Sequence, residues 1–264
     1  MDLQLTNKTA FISGSTAGIG YAIAKRLATE GATVLINGRT QIAIDKAVNE
    51  LKTTTGNPNI SGIMADFLDV DQINQLLNQL PPIDILINNA GIFEPKSFVD
   101  ITDQEWLRFF DMNVMSGIRL SRHLFPKMLE KNWGRIIFIS SETAVSTASE
   151  MVHYSMTKTA QIAIGRGMAE LTKGTGVTVN SILPGPTKSR GISGFISDMA
   201  AVNTITVQEA EQNFFKDIRP TSLLQRFASV EEIADTVAYY ASPLASATNG
   251  AAIRVEGGTI NTII

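Results

Sequence analysis

Tyr154 and Lys158 stand four residues apart in the stretch HYSMTKTAQIAIGRG, where a helix is predicted to begin. Side chains at positions i and i+4 share a helix face, so the phenol and the ammonium are neighbours. A nearby ammonium favours the phenolate and lowers the pKa of a tyrosine, which makes the phenol a better general acid and base near neutral pH. The alternative is a surface pair in which the lysine packs over the tyrosine ring. The spacing alone does not separate these two interpretations.

The elements that would position this pair alternate between short apolar runs and longer amphipathic stretches. Predicted strands cover 9–13, 33–37, 60–65, 83–88, 135–140, 177–182 and 252–257, and predicted helices cover 19–30, 41–54, 69–79, 102–131 and 153–173. Ser229 and Glu232 have the spacing of a capping box that opens one more helix before the last strand. The alternation predicts an α/β fold, a doubly wound Rossmann-type parallel sheet of seven strands with helices on both faces.

A glycine-rich turn, SGSTAGIG over 13–20, follows the first predicted strand and opens the first predicted helix. Gly14, Gly18 and Gly20 permit a tight turn and a close approach of the backbone to a pyrophosphate. The helix N-terminus then offers free N–H groups and a favourable dipole to the phosphates. The turn therefore predicts a dinucleotide site, and the alternative is a βα turn without a ligand.

The second predicted strand ends in VLINGRT, with Gly38 and Arg39 where folds that select NAD often carry an acidic residue. An arginine at this point suits the 2′-phosphate of NADP through a charge-assisted contact. The alternative is a solvated surface arginine. We therefore expect NADP(H) to be favoured over NAD(H).

The chain shows no linker rich in Pro, Gly or Ser, so residues 1–264 are predicted to form a single NAD(P)-binding Rossmann domain. Residues 186–225 form a segment much longer than an ordinary connection, and such segments in α/β enzymes are often lids or substrate-binding insertions. We expect a substrate lid there. Its apolar residues would either form a wall for an apolar substrate or anchor the lid to the core; they are Ile192, Phe195, Ile196, Met199, Phe214 and Phe215.

The composition argues against several classes of site and partner. The 264 residues include no cysteine and two histidines, so we predict no disulfide, no cysteine nucleophile and no metal site. The formal net charge is −3 and the cations are scattered, which predicts no nucleic-acid partner. No run of about 18 apolar residues and no signal peptide are visible, so we expect a cytoplasmic protein without a membrane span.

Five motifs occur in one order along the chain: SGSTAGIG (13–20), NNAG (88–91), DMNVMSG (111–117), ISS with YSMTK (139–141 and 154–158), and LPGP (183–186). With these motifs the chain resembles a short-chain dehydrogenase/reductase over nearly its whole length. The resemblance implies the catalytic residues Asn113, Ser141, Tyr154 and Lys158. Ser141 is preferred to Ser140 because it lies thirteen residues before Tyr154, the usual separation in the family. Asn113 would hold a water that links Lys158 to solvent.

The resemblance also implies the residues that bind the cofactor. The pyrophosphate would lie on the glycine turn, the adenine against Asp66, and the nicotinamide beside Pro184 and Gly185. The full set is Gly14, Ser15, Thr16, Gly18, Ile19, Gly20, Arg39, Asp66, Asn89, Ala90, Gly91, Tyr154, Lys158, Pro184, Gly185, Thr187 and Ser189.

The function implied is an NADP(H)-dependent oxidoreductase that interconverts a ketone and a secondary alcohol, with Tyr154 as acid and base. Two alternatives remain open: a 3-oxoacyl-[acyl-carrier-protein] reductase-like activity, and a non-catalytic NAD(P)-binding sensor or assembly module. In the resembled family the helix that corresponds to 153–173 often packs in a dimer and the last strand helps form tetramers, so we expect a homotetramer, with a homodimer as the alternative. Gly165 and Gly167 would let a partner helix approach closely.

Six side chains near the motifs or in the long segment have a functional and an ordinary interpretation. His153 is expected to pack rather than react, because its neighbour on a helix points about 100° away. The loop carboxylates Glu142 and Glu150 would by default be solvated, although either would affect substrate choice if it faced the pocket. The cations of the long segment, Lys188, Arg190 and Arg219, would be solvated or would meet an anionic substrate.

Overall fold

Alternate side chains of the first strand, β1 (Thr9–Ile12), enter two different hydrophobic layers. Ala10 and Ile12 are buried in one layer, and Phe11 is buried in the other. Successive side chains of a strand point to opposite faces of the sheet, so both faces of this sheet are covered. The computed structural model describes residues 1–263 without the side chain of Arg190.

Six further strands complete the sheet: β2 (Thr33–Gly38), β3 (Ile60–Met64), β4 (Ile85–Asn88), β5 (Gly134–Ile139), β6 (Val177–Pro184) and β7 (Ala252–Val255). All neighbouring strands are parallel, and their order in the sheet is β3-β2-β1-β4-β5-β6-β7. The predicted seven-stranded doubly wound parallel sheet is confirmed. The strand order changes direction between β1 and β4, and ligands of such folds bind at that point, beyond the carboxyl ends of the strands.

Helices cover both faces of the sheet. One face carries α1 (Gly18–Thr29), α2 (Gln41–Thr55) and α9 (Val230–Ala241), and the other carries α3 (Val70–Gln79), α5 (Ser116–Glu130) and α6 (Val152–Glu170). The predicted capping box is present at the start of α9, where Ser229 and Glu232 each bond the other's backbone N–H.

The predicted helix over 102–131 is interrupted in its middle. Helix α4 (Asp103–Phe110) runs into a π-helical turn, Asp111–Met115, and then into α5. Asn113 lies in this turn and is completely buried. π-Helical turns inside α-helices are rare and frequent at functional sites, because the extra residue changes the direction of the side chains around it.

Gly165 of α6 packs against the sheet of its own chain. A Cβ at this position would lie 3.0 Å from Ser181 Oγ and 3.5 Å from Phe138 Cδ2, so the small residue lets α6 approach β5 and β6 closely. A Cβ on Gly167 would meet no atom within 4 Å. The first glycine is therefore explained by packing within the chain, without a partner helix.

The segment 186–225 contains two helices, α7 (Arg190–Asn203) and α8 (Val207–Asn213), followed by a π-helical turn, Phe214–Ile218. Its buried side chains form a third hydrophobic cluster: Ile196, Ala200, Ala210, Phe214 and Phe215, together with Phe227. The segment is therefore a small folded unit of its own beside the sheet. In the described part of the chain, none of the helices has the length and apolar character needed to cross a membrane.

Candidate active site

Ser141, Tyr154 and Lys158 line one cavity of about 670 Å³ at the carboxyl edge of the sheet. Ser141 follows β5, while Tyr154 and Lys158 lie on the first turns of α6. Further residues predicted from the sequence line the same cavity: Ile19, Asn89, Gly91, Pro184, Gly185, Thr187 and Ser189. Motifs that are far apart in the chain thus meet at one place, because the parallel strands all end at this edge.

Ser141 presents a hydroxyl with a donor still available. Its Oγ accepts hydrogen bonds from Thr143 N at 3.2 Å and from Thr143 Oγ1 at 3.1 Å, so the residue caps the short turn Glu142–Ala144. The hydroxyl proton of Ser141 is thus not used by this turn, and the phenol oxygen of Tyr154 is an acceptor for it. In contrast, the hydroxyl of Ser140 donates to the carbonyl of Lys158 at 2.8 Å and holds α6 in place. These bonds favour Ser141 over Ser140 as the residue that contacts a substrate.

The phenol of Tyr154 is protonated in this structure. Removal of the phenol from solvent raises its pKa, a hydrogen bond with Ser141 opposes this effect, and the charge of Glu142 adds to it. This direction is opposite to the sequence-based expectation, because burial disfavours the phenolate more strongly than its neighbours stabilise it. The phenol is therefore in the form that can donate a proton.

The side-chain nitrogen of Lys158 lies over one face of the Tyr154 ring. Its Nζ is 5.5 Å from the centroid of the Tyr154 ring, and it donates to the carbonyl of Ile139 at 2.8 Å. The side chain is 4% exposed, and burial lowers its pKa to about 7. A Cβ on Gly91 would lie 3.5 Å from this Nζ, so the glycine leaves the ammonium room at the cavity floor.

Asn113 is joined to Lys158 through a side chain that the sequence motifs do not include. Gln161 lies one turn after Lys158; its Nε2 donates to the Asn113 carbonyl at 2.5 Å, and its Oε1 lies 3.4 Å from Lys158 Nζ. The Asn113 side chain bonds Ile92 N at 2.8 Å and Thr157 Oγ1 at 3.0 Å. Gln161 thus bridges the two predicted catalytic residues. The sequence signal that could have identified Gln161 is its position three residues after Lys158, which puts both side chains on the same face of α6.

The glycine turn has the geometry of a phosphate cradle. Gly14 and Gly18 both have φ +61°, a left-handed conformation that favours glycine. A Cβ on Gly20 would lie 2.4 Å from Asn89 Nδ2. Ala17 precedes α1 and provides no side-chain cap, so the first N–H groups of the helix are available to a ligand. This turn fits the pyrophosphate of a dinucleotide.

Two other residues of the turn hold it to the sheet. Ser15 is completely buried; its hydroxyl donates to Ile12 O at 2.7 Å, and its N–H donates to Asn37 O at 2.9 Å. Ser15 therefore supports the cradle from behind. The Thr16 methyl lies against Gly38, where a Cβ would approach it to 2.6 Å.

The NNAG motif after β4 closes the other side of the turn. The Asn89 side chain donates to the carbonyls of Ser13 and Gly14 at 2.9 and 2.8 Å, and Ala90 N donates to Ser13 Oγ at 3.0 Å. These bonds tie the ends of β1 and β4 together. Asn89 and Gly91 face the cavity, whereas Ala90 is buried beneath it.

Arg39 and Asp66 stand at the ends of β2 and β3, on the side of the glycine turn away from Tyr154. Arg39 is exposed and forms no ion pair with any described residue. Asp66 accepts a bond from Leu68 N at 3.0 Å through Oδ1, which leaves Oδ2 for another donor. Neither residue lines the cavity that holds Tyr154, so their contact with a cofactor stays a prediction.

The stretch after β6 forms the wall beside Tyr154. A Cβ on Gly185 would lie 2.6 Å from Glu256 Cα, so the close approach of the two backbones requires glycine. The Thr187 hydroxyl donates to the Gly185 carbonyl at 2.8 Å, which stabilises this bend. Ser189 precedes α7 without capping it, and its hydroxyl has no partner among the described residues. Ser189 thus offers a free hydroxyl to the cavity.

Arg219 forms two ion pairs within the protein, although the sequence suggested that it is solvated or meets an anionic substrate. Its Nε donates to Glu142 Oε1 at 3.1 Å, and its Nη1 donates to Glu150 Oε1 at 3.0 Å. The side chains of Arg219 and Glu142 are only 12% and 6% exposed. The expectation of a solvated Glu142 is therefore wrong, because the cation from the long segment neutralises the carboxylate and allows its burial.

His153 packs as expected. It is 1% exposed, and its ring lies 3.9 Å from the Phe109 ring and 5.9 Å from the Trp106 ring, centroid to centroid. Lys188 is exposed and pairs with Glu211 at 2.6 Å, away from any catalytic group. The side chain of Arg190 lies outside the described residues. Among the described residues, no group of three or more His, Asp and Glu side chains has the geometry of a metal site.

Comparisons with known proteins agree with this geometry. Residues 8–199 match the family model described as short chain dehydrogenase. Uncharacterized oxidoreductase YvaG of Bacillus subtilis (strain 168) is 47% identical over 263 residues, covering 100% of both chains. A 3-oxoacyl-[acyl-carrier-protein] reductase FabG of Aquifex aeolicus (strain VF5) is 34% identical, covering 98% of this chain and 99% of its own.

A solved structure is similar over its full length. L-Sorbose reductase from Gluconobacter frateurii, complexed with NADPH and L-sorbose, superimposes with a TM-score of 0.93 at 27% identity and covers 100% of both chains. The family match spans well over half of the chain, and the relatives and the solved structure are oxidoreductases. The chain therefore belongs to the short-chain dehydrogenase/reductase family and is an NAD(P)-dependent oxidoreductase.

Proposed function

We propose that this protein interconverts a ketone and a secondary alcohol with NADP(H), using Ser141, Tyr154 and Lys158 as catalytic residues. The observation that carries the proposal is the convergence of these three side chains in one cavity that adjoins the glycine turn. When bound, the nicotinamide supplies or accepts the hydride. The protein binds and orients the two reactants, and it moves the proton.

Each catalytic side chain has a distinct task. During reduction, Tyr154 donates its phenolic proton to the carbonyl oxygen. The raised pKa of the phenol means that the group is protonated before the reaction. The Ser141 hydroxyl donates a hydrogen bond to the same oxygen as negative charge develops there. Lys158 stabilises the phenolate that results and would hold the nicotinamide ribose. Asn113 acts through Gln161, which bridges its carbonyl to Lys158.

The cofactor proposed is NADP(H) in preference to NAD(H). Arg39 supports this choice, because an exposed arginine without an ion pair among the described residues suits a 2′-phosphate. The cradle for the phosphates would be Gly14, Thr16, Gly18, Ile19 and Gly20. The adenosine would lie near Asp66 and Ala90, and the nicotinamide near Pro184, Gly185, Thr187 and Ser189.

The proposed domain organisation is one nucleotide-binding unit whose segment 186–225 covers the substrate. All six apolar residues named from the sequence lie in or against the segment's own cluster, and three of them, Ile192, Phe195 and Phe214, also line the cavity. These three therefore combine the two roles considered from the sequence. We also propose a homotetramer, or alternatively a homodimer, and the exposed apolar side chains Leu107 and Leu223 (65% and 84%) support such contacts. Light scattering that gives a monomer at micromolar concentration would exclude both assemblies.

A 3-oxoacyl-[acyl-carrier-protein] reductase-like activity is the second candidate. It is favoured by the 34% identity to the Aquifex aeolicus FabG over nearly the full length of both chains. A thioester on an acyl carrier and a free ketone would use the same Ser141 and Tyr154, so only the substrate panel separates these two functions.

The test of the proposed function is turnover of Tyr154→Phe on a panel of ketones and a 3-oxoacyl thioester, with NADPH binding followed in parallel. We expect the variant to lose turnover by about 100-fold or more, as for loss of a general acid, and to bind NADPH within about threefold of the wild type because the ring remains. Tyr239→Phe, which removes the same hydroxyl from a tyrosine on α9 outside the cavity, is the matched control and should leave turnover unchanged. Near-native turnover of Tyr154→Phe would exclude the acid–base role. Tight NADPH binding without turnover of any carbonyl would favour a non-catalytic sensor.

A further inference from the structure

The cavity wall opposite the sheet carries a charged cluster formed by Glu142, Glu150 and Arg219. Arg219 comes from the end of the turn that follows α8, Glu142 is the residue after Ser141, and Glu150 lies four residues before Tyr154. The two ion pairs, 3.1 and 3.0 Å long, therefore join the segment 186–225 to both ends of the loop that connects Ser141 to Tyr154. All three residues line the cavity.

The cluster has hydrogen-bonding capacity left over. Glu142 uses Oε1 for Arg219, and Glu142 Oε2 has no partner among the described residues. Arg219 uses Nε and Nη1, and its Nη2 likewise has no partner among them. Neither atom is among the buried polar atoms without a partner, and both residues line the cavity. The cluster thus offers an acceptor and a donor at one wall, which is the pattern that a hydroxyl group satisfies.

The charge balance of this wall disfavours an anion. Three carboxylates, Glu142, Glu150 and Asp217, line the cavity, against two cations among the described side chains, Arg219 and Lys158. Burial raises the pKa of Glu142, the charge and the hydrogen bond of Arg219 oppose this effect, and the charges of Glu150 and Glu256 add to it. A ligand that brings a further carboxylate or phosphate would add to this repulsion. A neutral ligand with hydroxyl groups would not.

We propose that the substrate is a neutral polyhydroxylated ketone and that Glu142 and Arg219 bind a hydroxyl near its carbonyl group. Glu142 follows Ser141 directly, so a hydroxyl held by its Oε2 places the neighbouring carbonyl close to Ser141 and Tyr154. The opposite faces of the carbon chain would pack on Phe93, Ile192 and Phe195. This inference rests on the proposed ketone reduction, and it selects against an acyl thioester on an acidic carrier.

The test compares three six-carbon ketones with NADPH: L-sorbose, 5-keto-D-gluconate, which has a carboxylate in place of one CH2OH group, and 2-hexanone, which has no hydroxyl. We expect kcat/KM for L-sorbose to exceed that for 2-hexanone by about 10-fold or more, the effect of one charge-assisted hydrogen bond. It should exceed that for 5-keto-D-gluconate by a similar factor, because the added carboxylate is repelled by the carboxylates of the cavity. In Glu142→Gln, the ratio of L-sorbose to 5-keto-D-gluconate is expected to fall by about 10-fold, because the amide removes one negative charge and keeps an acceptor for Arg219.

Glu150→Gln serves as a second variant in case Glu142→Gln does not fold, and NADPH titration of each variant reports the fold. Glu50→Gln, an exposed carboxylate on α2 outside the cavity, is the matched control whose ratio should stay unchanged. Preference for 5-keto-D-gluconate or 2-hexanone, or an unchanged ratio in both cavity variants, would overturn the substrate class while the ketone reductase function stands. If the protein reduces an acyl thioester but turns over none of the three ketones, the proposed substrate class would be overturned as well.

Discussion

Replacement of Arg39 by alanine tests the cofactor preference most directly. Arg39 follows β2, is exposed, and has no ion pair among the described residues, so its loss disturbs no internal contact. Two unit charges 4 Å apart in water attract by about 1 kcal/mol, and a phosphate monoester carries a charge of about −1.5 to −2. The expected loss is therefore about 2 kcal/mol, or about 30-fold in the Kd of NADPH, since about 1.4 kcal/mol corresponds to tenfold. Binding of NADH, which has no 2′-phosphate, should change by less than about twofold.

The assay is a fluorescence titration of both dinucleotides at low and high salt, with Lys46→Ala as the control. Lys46 is an exposed cation on the adjoining helix α2, 3.9 Å from Glu50, and its removal changes the net charge by the same amount. High salt should reduce the difference between wild type and Arg39→Ala, because the contact is exposed and screened. Equal weakening of NADPH and NADH, or an unchanged Kd of NADPH, would refute the assignment of Arg39 to the 2′-phosphate.

Two further predictions concern stability. Gly20→Ala should destabilise the fold by about 1–3 kcal/mol, because its Cβ would lie 2.4 Å from Asn89 Nδ2. Gly167→Ala, whose Cβ would meet no atom within 4 Å, should be neutral or stabilising by up to about 1 kcal/mol. Thermal melts in which both variants lower the midpoint equally would contradict this prediction. Lys158 has a folded-state pKa lowered from 10.5 to about 7, so the unfolded chain binds the extra proton and the stability of the wild type should rise between about pH 7 and pH 10. Lys158→Met should remove that rise in urea titrations, and an equal slope in both proteins would show that Lys158 is not its source.

The proton chemistry of the site follows from burial as well as from residue types. The structure raises the pKa of Tyr154 and lowers that of Lys158, and in each case burial is the leading cause. Burial favours the neutral form of both groups, whereas the spacing of the pair considered alone favours the phenolate. Which effect is larger depends on how deeply the first turns of α6 lie under the surrounding loops.

The sequence by itself predicted the sheet and the positions of the glycine turn and of α6. Apolar runs bounded by turns appear wherever a strand is covered on both faces, and β1 to β7 were all identified in this way. The order of the motifs then identified the family, and the parallel sheet places their strand ends at one edge. The choice of Ser141 over Ser140 also agrees with the hydrogen bonds, since Ser140 is committed to the Lys158 carbonyl.

Only the tertiary structure decided how distant side chains pair. Arg219 and Glu142 are 77 residues apart, and no local pattern marks either as the partner of the other. Gln161 bridges Lys158 and Asn113 because the π-helical turn brings the Asn113 carbonyl against α6, a departure from the regular helix that the periodicity over 102–131 predicts. Periodicity reports which face of an element is buried, whereas the pairing of charges and the satisfaction of a buried carbonyl depend on which elements pack together.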